Sequence, residues 1–135
     1  MAESSVIKKL LIKPGYRMLL LNAPEGYQEK LAPLPERANI ETTAKGQYEW
    51  VLVFVSNKAD VDRQAVYALQ SVKTGTLVWF AYPKKNANTK TDISRDAGWD
   101  AILAQGWEGV SLIAIDAVWS AMRFRPLSEV KTRPK

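Results

Sequence analysis

The chain of 135 residues is 47% hydrophobic, enough for one domain with a substantial core that needs no disulfide or structural metal. It contains neither Cys nor His, which excludes thiol nucleophiles, disulfides, zinc clusters, Ser-His-Asp triads and the usual near-neutral proton shuttle. The net charge is +5, but residues 14 to 126 hold 13 basic and 12 acidic side chains, so the excess sits at the two ends, in Lys8, Lys9, Lys13, Lys131, Arg133 and Lys135.

The first residues show no apolar signal region and no small-residue cleavage site, and no apolar stretch reaches the roughly 20 residues of a bilayer span. A cytoplasmic chain without membrane association is expected. Residues 1–13 predict an amphipathic helix capped by Ser4 or Ser5, with Val6, Leu10 and Leu11 on one face and Pro14-Gly15 ending it. Tyr16 to Asn22 carries an unbroken apolar run of strand length, as in a strand covered on both faces of a parallel sheet. One or two helical turns follow around Tyr27 and Leu31, and a short strand around Ile40. Tyr48 to Ser56, with Trp50 to Val55 all apolar, predicts a central strand.

Lys58 to Lys73 predicts a helix with Val61, Ala65, Val66, Leu69 and Val72 on its buried stripe, and Thr76 to Tyr82 a further strand. Together these make a unit of right-handed βαβ size. Asp92 to Gln105 predicts a helix burying Trp99, Ile102 and Leu103 and stopped by Gly106. Val110 to Ile115 and Ala121 to Arg125 predict two strands joined too tightly for a helical crossover, hence an antiparallel hairpin. Residues 127–135 form a basic tail. No repeat or linker divides the chain, so 1–135 reads as one α/β domain: a mostly parallel Rossmann-like sheet flanked by helices, with a C-terminal hairpin. The hairpin leaves an edge strand on which a second copy could pair.

This element order resembles a shortened class I methyltransferase. The segment from Glu49 to Phe80 is similar to the middle of such an enzyme. Three segments, Asn22 to Tyr27, Tyr82 to Lys85 with Lys90 to Trp99, and Trp119 to Pro126, resemble a family of small bacterial proteins known only as a domain of unknown function. That resemblance implies a fold and no activity.

In a methyltransferase the first strand leads into a glycine-rich loop, because the backbone must approach S-adenosylmethionine without intervening Cβ atoms. Here the loop Asn22-Ala23-Pro24-Glu25-Gly26 has one Gly, and Pro24 removes a donor. Glu41 stands nineteen residues after Asn22, where a ribose-binding carboxylate would end the second strand. The richest polar segment is 84–96. It leaves the carboxyl end of a core strand and enters a predicted helix N-terminus, so Lys84, Lys85, Lys90 and Arg95 with Thr91 and Ser94 predict an anion site. Asp92, Asp96 and Asp100 would share a helix face, but carboxylates there stabilise the helix, and no metal is predicted.

Arg123 and Arg125 share one face of the last strand. Near Trp79, Trp99, Trp107, Trp119 and Phe124 they could form a base-stacking platform, or pair with Asp116 or Glu108. No catalytic residue stands out. The reading the residues favour is a non-catalytic domain on a degenerate methyltransferase-like scaffold, taking a phosphate- or carboxylate-bearing ligand or a protein partner, with no cofactor assigned. The alternatives are an S-adenosylmethionine-dependent methyltransferase and a nucleic-acid-binding accessory protein.

Overall fold

A computed structural model describes residues 5–25, 27–31, 34–43, 45–70, 72–84, 92–94, 97–115 and 118–126. Six strands form one sheet: β1 (Arg17–Leu21), β2 (Asn39–Glu41), β3 (Tyr48–Phe54), β4 (Val72–Pro83), β5 (Trp107–Ala114) and β6 (Trp119–Pro126). Their order is β2-β1-β3-β4-β6-β5. The first four are parallel, and β6 pairs antiparallel with both β4 and β5. The predicted hairpin is therefore present, and it occupies one edge of a Rossmann-like sheet.

Among the described residues four helices flank the sheet: α1 (Ser5–Lys9), α2 (Tyr27–Lys30), α3 (Lys58–Leu69) and α4 (Asp100–Ala104). Alternation along each strand divides the apolar side chains between the two faces. One face carries Leu19, Val51, Val53, Phe80 and Phe124 and packs against Val61, Ala65 and Ala68 of α3 and Ile102 of α4. Trp99 wedges into this layer, its ring centroid 5.2 Å from Phe124 and 5.4 Å from Tyr82. The opposite face carries Met18, Trp50, Leu52 and Trp79 under Ile7, Leu10, Tyr27 and Leu31. There the carbonyl of Leu10 accepts two indole N–H bonds, from Trp50 Nε1 at 2.9 Å and Trp79 Nε1 at 3.2 Å.

Three elements differ from the sequence expectation. The N-terminal helix ends at Lys9, because Leu11 adopts a left-handed backbone (φ 62°). Leu11 is thereby exposed, while Ile7, Leu10 and Ile12 take the buried positions. Helix α3 ends at Leu69, and Val72 already pairs with Tyr48 as the start of β4. Val66 lies exposed instead of on the buried stripe.

The helix expected from Asp92 is only Asp100–Ala104, with Leu103 exposed. Ser94 and Ala97 close a turn through reciprocal backbone bonds, and Gly98 follows with φ +100°. A Cβ on Gly98 would stand 3.2 Å from Asp92 O and Ile93 Cα, so this compact turn needs glycine and breaks the helix.

Candidate functional site at the carboxyl edge of the sheet

The chain leaves β1 to form β2 on one side and then crosses to β3 on the other, so the β1/β3 boundary is the topological switch point. In open α/β sheets ligands bind outside the carboxyl ends of strands at such a point. Asn22 directly follows β1 there, with a left-handed backbone (φ 60°). Asparagine is among the few residues other than glycine that tolerate this region, so one residue of the glycine-poor loop holds a glycine-like backbone. Its amide Nδ2 donates to Phe54 O at 2.7 Å, bridging the ends of β1 and β3.

On the other side of β1, Glu41 ends β2 as expected, but its carboxylate is engaged. Arg17 Nε donates to Oε2 at 3.0 Å and Arg17 Nη2 to Oε1 at 3.1 Å, while Tyr48 Oη donates to Oε1 at 2.7 Å. These hydrogen bonds, Arg17's first and Tyr48's second, hold the Glu41 carboxyl below its ordinary pKa. Arg17 also donates to Gln47 O at 2.9 Å and Lys45 O at 2.6 Å, and its guanidinium lies 4.2 Å from the centroid of the Tyr48 ring. The residues after β2 are thus wrapped around one arginine. Beside them lies a cavity of about 320 Å³ lined by Ile40, Glu41, Thr42, Thr43 and Lys45.

Sequence reasoning missed Arg17 and Tyr48. The only signal available was a single charge at the head of an apolar strand, with a carboxylate twenty-four residues downstream.

The expected anion site is only partly within the described residues. Gly26, Lys85, Lys90, Thr91 and Arg95 lie outside them, and Glu25 is exposed. Lys84 is half-buried at the end of β4, its backbone N–H donating to Val118 O at 2.7 Å. Ser94 O accepts from Trp99 Nε1 at 2.8 Å.

Asp92 does not begin a helix of its own. Its Oδ1 accepts the backbone N–H of Lys58 at 2.7 Å, at the start of α3. There Asn57 Oδ1 accepts from Asp60 N at 2.9 Å, and Asp60 Oδ2 from Ser56 N at 2.8 Å. The protein's own oxygens therefore occupy the N-terminus of α3. Asp92 and Asp100 stand on different elements, so the shared helix face does not form.

Arg123 and Arg125 lie on β6, away from Glu41. Trp79, Trp99, Trp107 and Phe124 are all buried, so these four offer no stacking platform. None of the described helices is long and apolar enough to cross a membrane.

No family model matches the chain and no curated protein matches its sequence, so the likeness to the family of small proteins rests on its three motifs alone. Solved structures do match. TrmN from Thermus thermophilus superposes with a TM-score of 0.59 at 10% identity, over 91% of this chain and 47% of its own. This chain thus spans about half of that one. The fold is methyltransferase-like.

Fibrillarin from Aeropyrum pernix, in complex with natively bound S-adenosyl-L-methionine, matches with a TM-score of 0.59 at 11% identity, over 90% of this chain and 73% of its own. A SAM-dependent methyltransferase from Aquifex aeolicus matches with a TM-score of 0.58 at 10% identity, over 89% and 87%. The six-strand sheet with its antiparallel β4-β6-β5 edge matches these neighbours in fold.

Proposed function

We propose that this chain is an S-adenosylmethionine-binding domain of the methyltransferase kind and works as a methyltransferase in the cytoplasm. The observation that carries this reading is the cavity of about 320 Å³ beside Glu41, at the carboxyl end of β2. Its size lies at the lower end of the few-hundred-Å³ range of small-molecule sites. Glu41 Oε2 takes one hydrogen bond among the described residues, from Arg17 Nε, and keeps an accepting direction for a ribose hydroxyl. The left-handed backbone of Asn22 supports a close approach at the end of β1.

When bound, the cofactor supplies an activated methyl group, so the protein's share is binding and orientation, which needs neither His nor Cys. Arg17 and Tyr48 fix the Glu41 carboxylate in its ionised form. Glu25, exposed in the loop after β1, is a further polar group available to the cofactor.

Calorimetric titration with S-adenosylmethionine and S-adenosylhomocysteine tests this. Wild type should bind both, and Glu41→Ala should weaken binding at least about tenfold while keeping its circular dichroism. Equal affinity in the variant would remove Glu41 from the site.

The bonds Asn22 to Phe54 and Asp92 to Lys58 favour a second reading, because both place the protein's own groups across the carboxyl edge. In that reading the domain is non-catalytic and binds a small anion through Lys84, Lys85, Lys90, Thr91, Ser94 and Arg95, or a protein partner, including a second copy. It is supported if neither sulfonium ligand binds and phosphate raises the melting temperature of wild type but not of Lys84→Ala/Lys85→Ala.

A further inference from the structure

The basic excess that the sequence places at the chain's start does not stay there in three dimensions. Helix α1 packs on the sheet face that carries Trp79 and Ala121, and by alternation this is the face of Arg123 and Arg125. The Nζ of Lys9 reaches β5 itself, donating to Ala114 O at 3.1 Å. Lys8 and Lys13 flank it, both exposed. Lys9, Arg123 and Arg125 thus share the β4-β6-β5 end of one face. The only carboxylate on β5 or β6 is Glu108, opposite Arg125.

Arg123 is the unusual member. Arg17, Arg37 and Arg63 are paired with Glu41, Glu36 and Asp60. Arg123 stands between Trp79 and Ser111, and its Nε is buried with no hydrogen-bond partner among the described residues. A partly desolvated guanidinium beside a second arginine is destabilised unless an anion meets it.

We propose that this face binds the phosphate backbone of a single-stranded nucleic acid, with Arg123 and Arg125 as its anchors and Lys8, Lys9 and Lys13 extending the track. Two observations select this partner. The planar guanidinium fork matches phosphate oxygens in pairs. A membrane surface would require several apolar anchors, yet Ile7, Leu10 and Ile12 are buried in the core and leave Leu11 as the one exposed apolar side chain of residues 7–12. The short α1, packed down by those side chains, offers no helix for a duplex groove, which leaves an extended single strand as the fitting form. This surface lies apart from Glu41 and does not depend on cofactor binding.

Fluorescence anisotropy with a labelled 20-nucleotide single-stranded RNA of mixed sequence, across a salt series, tests the proposal. Wild type should bind with an affinity that falls with salt. Arg123→Ala/Arg125→Ala should weaken binding at least about tenfold and lower the log–log salt slope by about 1.4, since each phosphate contact on a single strand contributes about 0.7. Arg123→Lys/Arg125→Lys should retain most of the salt slope. Should the alanine pair not fold, Lys8→Gln/Lys13→Gln, at exposed positions, should lower the slope by a similar amount. Absence of binding, a slope unchanged in the folded variants, or equal binding to phosphatidylserine vesicles would each overturn it.

Discussion

The guanidinium of Arg17 and the carboxylate of Glu41 meet side by side, Nε on Oε2 at 3.0 Å and Nη2 on Oε1 at 3.1 Å, joining the start of β1 to the end of β2. Fork-to-fork geometry fixes orientation as well as proximity. The pair is about one-third exposed, so its contribution is screened by solvent. Its signature is acid sensitivity. Glu41's folded pKa is depressed below its ordinary 4.5, first by Arg17 and then by Tyr48. The stabilisation is therefore complete above pH 4.5 and is lost as pH falls from there through the depressed value. Glu41→Gln should have a shallower fall of melting temperature below pH 4.5 than wild type. Parallel curves would show that the pair contributes nothing.

Tyr48 is the second ligand of the same carboxylate, and its hydroxyl also accepts the Lys45 N–H at 3.0 Å. Tyr48→Phe should cost on the order of 1 kcal/mol in urea unfolding, the typical net worth of such bonds. Burial, then the Glu41 bond, raises the phenol's pKa above 10.0. Its contribution is thus present below pH 10 and lost as pH rises through the raised value. Ultraviolet titration should find one tyrosine ionising late in wild type and absent from the variant.

Asn22 combines a left-handed backbone with a hydrogen bond to Phe54 O. Asn22→Ala loses both, at about 1–2 kcal/mol for the backbone and about 1 kcal/mol for the bond. Asn22→Gly loses the bond but relieves the backbone. Alanine should therefore be the less stable variant by at least about 1 kcal/mol in chemical denaturation, and the opposite order would contradict the conformational argument.

The apolar periodicity of the sequence locates the sheet because its central strands β1 and β3 are buried on both faces, which is what runs such as Met18 to Leu21 and Trp50 to Val55 require. Helix ends were less legible. Leu11, Val72 and Asp92 were each assigned by neighbouring pattern, yet their places are set by a left-handed backbone, a strand pairing and a capping bond, all of which involve geometry or distant residues. The same holds at the site. Glu41 could be placed at the end of β2 by spacing, whereas its engagement by Arg17 and Tyr48 arises only when β1, β2 and β3 lie side by side.

Asp92 caps a helix thirty-four residues earlier in the chain. Asp92→Ala should lower stability by about 1 kcal/mol, as for other caps, and should speed amide exchange selectively in the first turn of α3. Uniform acceleration across the sheet would point to a global role instead.

The shared carbonyl of Leu10 has a consequence for the order in which the molecule is made. Leu10 is synthesised long before Trp50 and Trp79, whose indoles are its two hydrogen-bond donors across 40 and 69 residues of sequence. During translation α1 has no seat until the third and fourth strands have left the ribosome. A segment made before the sheet is therefore docked only after Trp50 and Trp79 are in place, and the two tryptophans that receive it provide a native fluorescent reporter of the moment it does.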